Sequence, residues 1–184
     1  MISKSESALL VNYALENEEH LEVAIKTHFV FDSIRETIIE DFISSLVTSL
    51  KTELGENWEI ANEMKGKVFD QYTGLMFSKK NWKNYFVRLQ QEKSGAREFC
   101  LGVVKANEKL PPIPDLKKLL DDEYKPGKAY PWWVWFSFLE EPYTNWNNLD
   151  ILLALYRKTE AIEYLKRHIL KIIKISEPLL DKIT

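Results

Sequence analysis

The chain has 184 residues, of which 45% are apolar, 12% aromatic and 29% charged. This composition excludes a disordered chain, and the length is that of one domain that buries a core without a metal or a disulfide. No apolar run reaches the roughly 18 residues of a transmembrane helix, and the first residues lack the basic start and apolar stretch of a signal peptide. Because Cys100 is the only cysteine, no internal disulfide can form, and we expect a cytoplasmic protein without membrane contact.

The charged residues are unevenly distributed along the chain. Residues 1–64 contain 4 basic and 13 acidic residues, a net charge of −9, whereas residues 65–105 contain 9 basic and 3 acidic residues, a net charge of +6. Such a patch can steer a charged partner even though the whole chain carries a net charge of only −3. The simpler interpretation is that acidic helices neutralise a basic sheet within one fold.

Helical spacing of apolar residues dominates the first third of the chain. We predict a short helix over residues 3–16 and a restart at Asn17, where acidic residues favour a first helical turn. A longer helix is expected to begin at a cap on Asp32 or Ser33. Gly55 ends it, as a glycine past a helix often does.

The middle of the chain alternates apolar and polar residues at period two, which is typical of half-buried strands. The predicted strands are 58–62, 75–79, 85–90 and 99–104. In the third strand, Tyr85, Val87 and Leu89 share one face. The gaps are short, and Gly95 tolerates the positive φ of a hairpin turn, so we expect an antiparallel meander.

The remaining segments are a proline-rich loop, a short helix, an aromatic run and a helical end. We predict a helix that begins at Pro114. Residues 130–139 are apolar on both faces, which fits a buried strand, although periodicity alone does not separate it from a short helix. A helix capped at Asn147 or Asn148 follows and is interrupted near Thr159.

These segments predict one α+β domain over residues 1–184, in which an antiparallel sheet of about four to five strands is packed by N- and C-terminal helices. Its regions are helical 1–56, the meander 57–107, the loop, helix and aromatic segment 108–146, and helical 147–184.

The sequence lacks the common signatures of catalysis. His20, His28 and His168 are widely spaced and do not form the i, i+4 pair of a metalloprotease. No glycine-rich phosphate loop and no GxSxG motif is present. Cys100 lies in a predicted strand, where a structural thiol is expected. We therefore expect a protein that is not an enzyme, with no cofactor, no metal and no catalytic residue.

One pattern imitates a nuclease motif. Pro114-Asp115 followed by Glu123-Tyr124-Lys125 matches PD…ExK, whose carboxylates must converge on one metal ion. The residues between them are amphipathic at helical spacing, so Asp115 and Glu123 would lie about 12 Å apart at opposite ends of a helix. A metal-dependent nuclease that uses Asp115, Glu123 and Lys125 stays an alternative hypothesis, and Asp115 as a helix cap is the simpler one.

Aromatic residues are the unusual feature of the sequence, with seven of them between 132 and 146. Core packing explains most such clusters, and a surface that binds a macromolecule is the functional alternative. The residues predicted for such a site are Trp82, Arg88, Trp132, Trp133 and Trp146. A protein partner is favoured, and single-stranded nucleic acid that stacks on aromatics among Lys79, Lys80, Lys83 and Arg88 is the alternative. The long apolar C-terminal helix is also compatible with a homodimer.

Several landmarks of the middle region occur in a familiar order. They are Trp58, Gly74–Phe77, Trp82 with Tyr85, Leu101–Val103, Pro114–Leu116, Trp132–Trp133 and Trp146. Residues 58–146 resemble the region after the catalytic core in a bacterial family of PD-(D/E)XK-superfamily proteins. Members of that family usually carry the nuclease core in an N-terminal part, which we expect this chain to lack, and so no catalytic residue is transferred. The resemblance implies a non-catalytic accessory module linked to bacterial defence against foreign DNA, or one that regulates or imitates such a protein.

Overall fold

Both kinds of periodicity in the sequence appear in the structure, a computed structural model that describes residues 3–183. Residues 1, 2 and 184, the ends of the predicted domain, lie outside the described residues. The described chain is an α+β fold of five helices and one six-stranded antiparallel sheet. In chain order the elements are α1 (Lys4–Ala14), α2 (Glu18–Leu54), β1 (Trp58–Asn62), β2 (Gly74–Lys79), β3 (Tyr85–Lys93), β4 (Arg97–Lys105), α3 (Pro114–Glu123), β5 (Lys128–Tyr130), β6 (Trp133–Phe138), α4 (Leu149–Arg157) and α5 (Thr159–Ile183).

The sheet has the strand order β1-β2-β3-β4-β6-β5, so the first four strands form the predicted meander and β6 pairs with β4. The prediction of four to five strands was too low: residues 3–183 contain six. The difference arises in the aromatic run, which forms two strands with Pro131 and Trp132 at the turn between them. A proline suits such a turn because it has no N–H to donate to a ladder.

The long helix α2 differs from the prediction at its beginning. Asn17 caps it, with its side-chain oxygen 2.9 Å from the backbone N–H of His20, and the helix then runs without a break to Leu54. The predicted start at Asp32 or Ser33 was wrong. Asp32 lies within the helix and accepts a hydrogen bond from Arg35 at 2.8 Å. Gly55 ends α2 with a φ of 76°, as expected.

The core lies between one face of the sheet and the helices. α2, α3 and α5 contact strands, and α4 packs against α2 and α5. The apolar stripe of α5, which we considered for a homodimer, is buried in this core through Leu165, Ile169 and Ile172. Lys158, with a φ of 69°, separates α4 from α5 and accounts for the predicted interruption.

Residues 3–34, which we call the arm, project from this core. Within them only Ala14 and His20 are partly buried, and a buried side of α2 begins at Arg35. None of the helices in residues 3–183 has the length and hydropathy needed to cross a membrane. The exposed large apolar residues of the arm are Leu9, Leu10, Val11, Tyr13, Leu15, Leu21, Val23, Ile25, Phe29, Val30, Phe31 and Ile34.

Close contact between β4 and β6 depends on Gly102. A Cβ at this position would lie 2.1 Å from the carbonyl oxygen of Trp135 and 2.7 Å from the Cα of Phe136. Because both atoms belong to backbone, we expect Gly102→Ala to lower the free energy of unfolding by about 1–3 kcal/mol in urea denaturation. Ser137→Ala on the neighbouring strand is the control and should change it by less than about 0.5 kcal/mol. Equal stability of both variants would contradict this account.

Candidate binding site on the open face of the sheet

Alternation along the strands creates a second face that points away from the core. In β3, Tyr85, Val87 and Leu89 belong to the core, while Phe86 and Arg88 line a cavity of about 980 Å³ on the opposite face. We call this cavity the hollow. It is lined by Tyr72, Met76, Phe86, Arg88, Gln90, Glu92, Glu98, Val104–Ala106, Lys128, Tyr130–Trp133, Phe136 and Phe138.

One end of the hollow is aromatic and is built by the β5–β6 hairpin. Trp133 and Phe136 are buried side by side with ring centroids 5.4 Å apart. Tyr130 stacks on Phe136 at 5.7 Å, and the edge of Phe138 meets the same ring at 5.8 Å. Trp132, at the hairpin turn, leaves 50% of its surface exposed. A buried aromatic floor thus carries a half-exposed aromatic rim.

Irregular pairing places these rings on one face. The register shifts between Val103 and Val104 where β4 meets β6, and again between Lys128 and Tyr130 where β5 meets β6. A bulge changes which side chains point to a given face of a sheet. Trp133 and Phe136, three positions apart, therefore belong to one apolar cluster that is separate from the main core and also contains Cys100.

The other part of the hollow is a polar strip on β3. Arg88 forms an ion pair with Glu63 and donates a hydrogen bond to the carbonyl oxygen of Tyr72 at 2.9 Å. Gln90 donates to a carboxylate oxygen of Glu92 at 2.8 Å. The buried Nε of Arg88 has no hydrogen-bond partner among residues 3–183. The strip therefore presents charges of both signs.

Cys100 lies beneath the hollow and donates a weak hydrogen bond to Glu92 at 3.4 Å. Burial raises the pKa of the Cys100 thiol well above its ordinary value, and the charge of Glu92 raises it further. Because the thiolate is the reactive form, the buried thiol is held in its less reactive protonated form.

The structure divides the five predicted site residues into two groups. Arg88, Trp132 and Trp133 line the hollow. Trp82 is buried in the core, where its indole N–H donates to Asp181 at 2.7 Å. Trp146 is fully buried and stacks on Phe99 with ring centroids 3.9 Å apart. The residues brought together by the fold are thus the three on the open face.

Sequence reasoning missed other members of the hollow, chiefly Phe86, Tyr130 and Phe136. A signal for Phe86 was present, because the assignment of Tyr85 and Val87 to one face leaves Phe86 and Arg88 on the other. No comparable signal marked Phe136, since a run that is apolar on both faces does not show which face is covered.

The residues of the nuclease-like pattern do not meet. Asp115 and Glu123 lie near the two ends of the helix α3. The interpretation of Asp115 as a cap was wrong, because Ile113 is the N-cap residue and Asp115 lies inside the first turn. Lys125 donates a hydrogen bond to the backbone carbonyl of Phe138 at 2.9 Å. Among residues 3–183, no group of three His, Cys, Asp or Glu side chains is arranged to hold a metal ion.

A cluster of tyrosines around His168 joins the end of α3 to α5. The hydroxyl of Tyr124 and Nδ1 of His168 are hydrogen-bonded at 2.6 Å, and the buried Nε2 of His168 has no partner within the described chain. Tyr164 packs on His168 at 4.4 Å and stacks on Tyr143 at 3.8 Å. Burial lowers the pKa of His168, and the charge of Arg167 lowers it further.

Comparison of this chain with protein-family models, with curated proteins and with solved structures returned no match. The resemblance of residues 58–146 to a PD-(D/E)XK-superfamily family therefore stays a prediction. The candidate site rests on the geometry of the hollow alone.

The lowered pKa of His168 predicts that acidification destabilises the fold. The unfolded chain binds a proton at this residue near its ordinary pKa of 6.5, whereas the folded chain resists protonation until a lower pH. The unfolded state thus binds more protons as the pH falls below about 6.5, and the free energy of unfolding should decrease from about pH 7.5 to about pH 5.5. His168→Gln should make this decrease smaller in urea denaturation, since glutamine does not titrate.

His28→Gln is the matched control, because His28 is exposed. We expect this variant to keep the pH dependence of the wild type. The same pH dependence in the wild type and in His168→Gln would contradict the assignment to His168.

Proposed function

We propose that this chain is a non-catalytic protein-binding module whose site is the hollow on the open face of the sheet. The observation that carries the proposal is the half-exposed Trp132 beside the buried rings of Trp133 and Phe136 in a cavity of about 980 Å³. Tryptophan and tyrosine concentrate binding energy at protein interfaces because they bury a large apolar area with few rotatable bonds.

The shape and polarity of the hollow support a particular kind of partner. An apolar end next to a polar strip suits a partner segment that inserts a bulky apolar side chain at the β5–β6 hairpin and places polar groups over β3. The floor is already packed, so little ordering is needed at the moment of binding, and pre-organisation of this kind increases affinity. We propose a protein segment with one apolar anchor as the occupant.

The charges near the hollow favour protein over single-stranded nucleic acid. The lining contains Glu92 and Glu98 as well as Arg88, Lys105 and Lys128. The hollow therefore carries charges of both signs and lacks the uniformly basic surface that binds a phosphate backbone. Arg88, which we expected to contact phosphate, is paired with Glu63. Lys79, another expected contact, is held by Asp181 at 2.5 Å and by Glu177 at 2.6 Å. Its hydrogen bond lowers the pKa of Asp181, as a stable ion pair does.

We propose a cytoplasmic location, which the free and buried Cys100 supports. We also propose an accessory or regulatory role in bacterial defence or in its inhibition. This role is supported by the resemblance of residues 58–146, and the separation of Asp115 from Glu123 along α3 supports a non-catalytic part in it.

The test is affinity capture from a host lysate with the full chain as bait, with and without nuclease treatment. Trp132→Ala should lose the captured protein, and in a titration with that purified protein its dissociation constant should rise by about thirtyfold or more. Trp132 is half exposed, so its replacement should leave the thermal unfolding midpoint nearly unchanged.

Tyr156→Ala on α4 is the matched control, since Tyr156 is exposed by 69% and does not line the hollow. It should retain the partner. A partner that is lost after nuclease treatment, or salt-dependent binding of an oligothymidylate by the purified chain, would indicate nucleic acid instead. Equal capture by wild type and Trp132→Ala would refute the site.

A further inference from the structure

The arm has more exposed apolar surface than a free helical segment in water would be expected to keep. Phe29, at 79%, has the most exposed side chain of its twelve large apolar residues. The second part of the arm is the continuous N-terminal extension of α2. From Glu18 to Ile34 this extension spans about 25 Å at 1.5 Å per residue.

Two different sides of this extension are apolar. Leu21, Ile25 and Phe29 follow one another at intervals of four and form one side. Val23, Val30 and Ile34 form a second side, roughly 160° around the axis at 3.6 residues per turn. A helix that is apolar on two sides needs two packing neighbours.

The chain itself supplies at most one of these neighbours. α1 packs against α2 next to the turn, where Tyr13 stacks on His20 with ring centroids 4.1 Å apart. Within the described residues, none of the 11 residues of α1 is buried. A helix of this length is marginal on its own in water, so the arm requires a further partner along both of its helices.

The area of the arm matches what a stable dimer buries. A large apolar side chain contributes roughly 60–120 Å² when fully buried, at about 25 cal/mol per Å². Twelve side chains at about half exposure, counted on two copies, give roughly 700–1,400 Å² of apolar area. A standard interface of about 1,600 Å² has roughly 900–1,000 Å² of apolar area.

The charge of the arm indicates which partner binds its apolar surface and in which orientation. Four of the six acidic residues of the arm lie at or near the turn between its helices, at Glu16, Glu18, Glu19 and Glu22. This charge opposes binding to an anionic lipid surface. Two arms that pair in antiparallel orientation around a twofold axis place their acidic turns at opposite ends of the interface, which removes most of the repulsion.

We propose that the arm is a dimerisation device that pairs with the arm of a second copy of this chain, so that two α1 and two α2 segments form an antiparallel four-helix bundle. The bundle supplies the second neighbour that each α2 extension lacks. The device is separate from the hollow and does not depend on the proposed binding function.

The test measures the mass of the full chain in solution by sedimentation equilibrium over a series of concentrations. The wild type should reach twice the chain mass of 21.7 kDa at micromolar concentration. Phe29→Glu should raise the dissociation constant at least tenfold, because a charge at a packed aromatic position cannot be buried unpaired. Circular dichroism should show the same helix content at high concentration in both.

Tyr156→Glu is the matched control, because Tyr156 is also a highly exposed aromatic residue on a helix but lies outside the arm. It should dimerise like the wild type. A monomeric wild type at the highest concentration overturns the proposal, whether or not the chain floats with vesicles of phosphatidylcholine and phosphatidylglycerol. So does a dimer that Phe29→Glu leaves unchanged, or that Tyr156→Glu weakens equally.

Discussion

The alternation of side chains along antiparallel strands determines where the main core and the hollow lie. Each strand must present one row of side chains to the helices and the next row to the opposite face. The helices α2, α3 and α5 contact strands of the sheet, and the main core forms between them. The second face is left to bury its own apolar residues, and it does so around Trp133 and Phe136. A packed aromatic floor open to solvent is the consequence.

Much of the fold was readable from local patterns because its strands and turns have local causes. The four meander strands alternate clearly, and Gly95 takes the expected positive φ, at 81°. The errors in the start of α2 and in the number of strands arose where local signals compete. Asp32 and Ser33 are good caps but are also tolerated inside a helix, and the absence of glycine and proline from Glu18 to Leu54 outweighs them. In the run 130–139, Pro131 indicated the turn between β5 and β6, but the apolar residues around it favoured one continuous strand.

Members of the candidate site could be predicted only where the sequence shows on which face of a strand, or at which turn, a residue lies. Arg88 follows from the alternation of β3, and Trp132 follows Pro131 at the hairpin turn. Trp82 and Trp146 could not be assigned, because their burial depends on distant parts of the chain. Trp82 donates its indole proton to Asp181, which is 99 positions away, and Trp146 packs on Phe42 from the middle of α2 at 5.5 Å. The large apolar area of an aromatic residue predicts that it will be buried, but it does not predict which part of the chain will cover it.

The acidic N-terminal region also divides into two parts with different physical roles. Beyond the arm its carboxylates join elements of the fold, as Asp41 does with Lys158 at 2.7 Å and Glu53 with Lys166 at 3.1 Å. Exposed pairs of this kind add little stability. α2 contacts β1 at one end of the sheet, whereas the aromatic end of the hollow lies at β5 and β6 at the other. A dimer formed through the arms would therefore carry two separate hollows. A partner with two matching segments would bind this dimer more tightly than it binds a single chain, because its second contact forms at a high effective concentration.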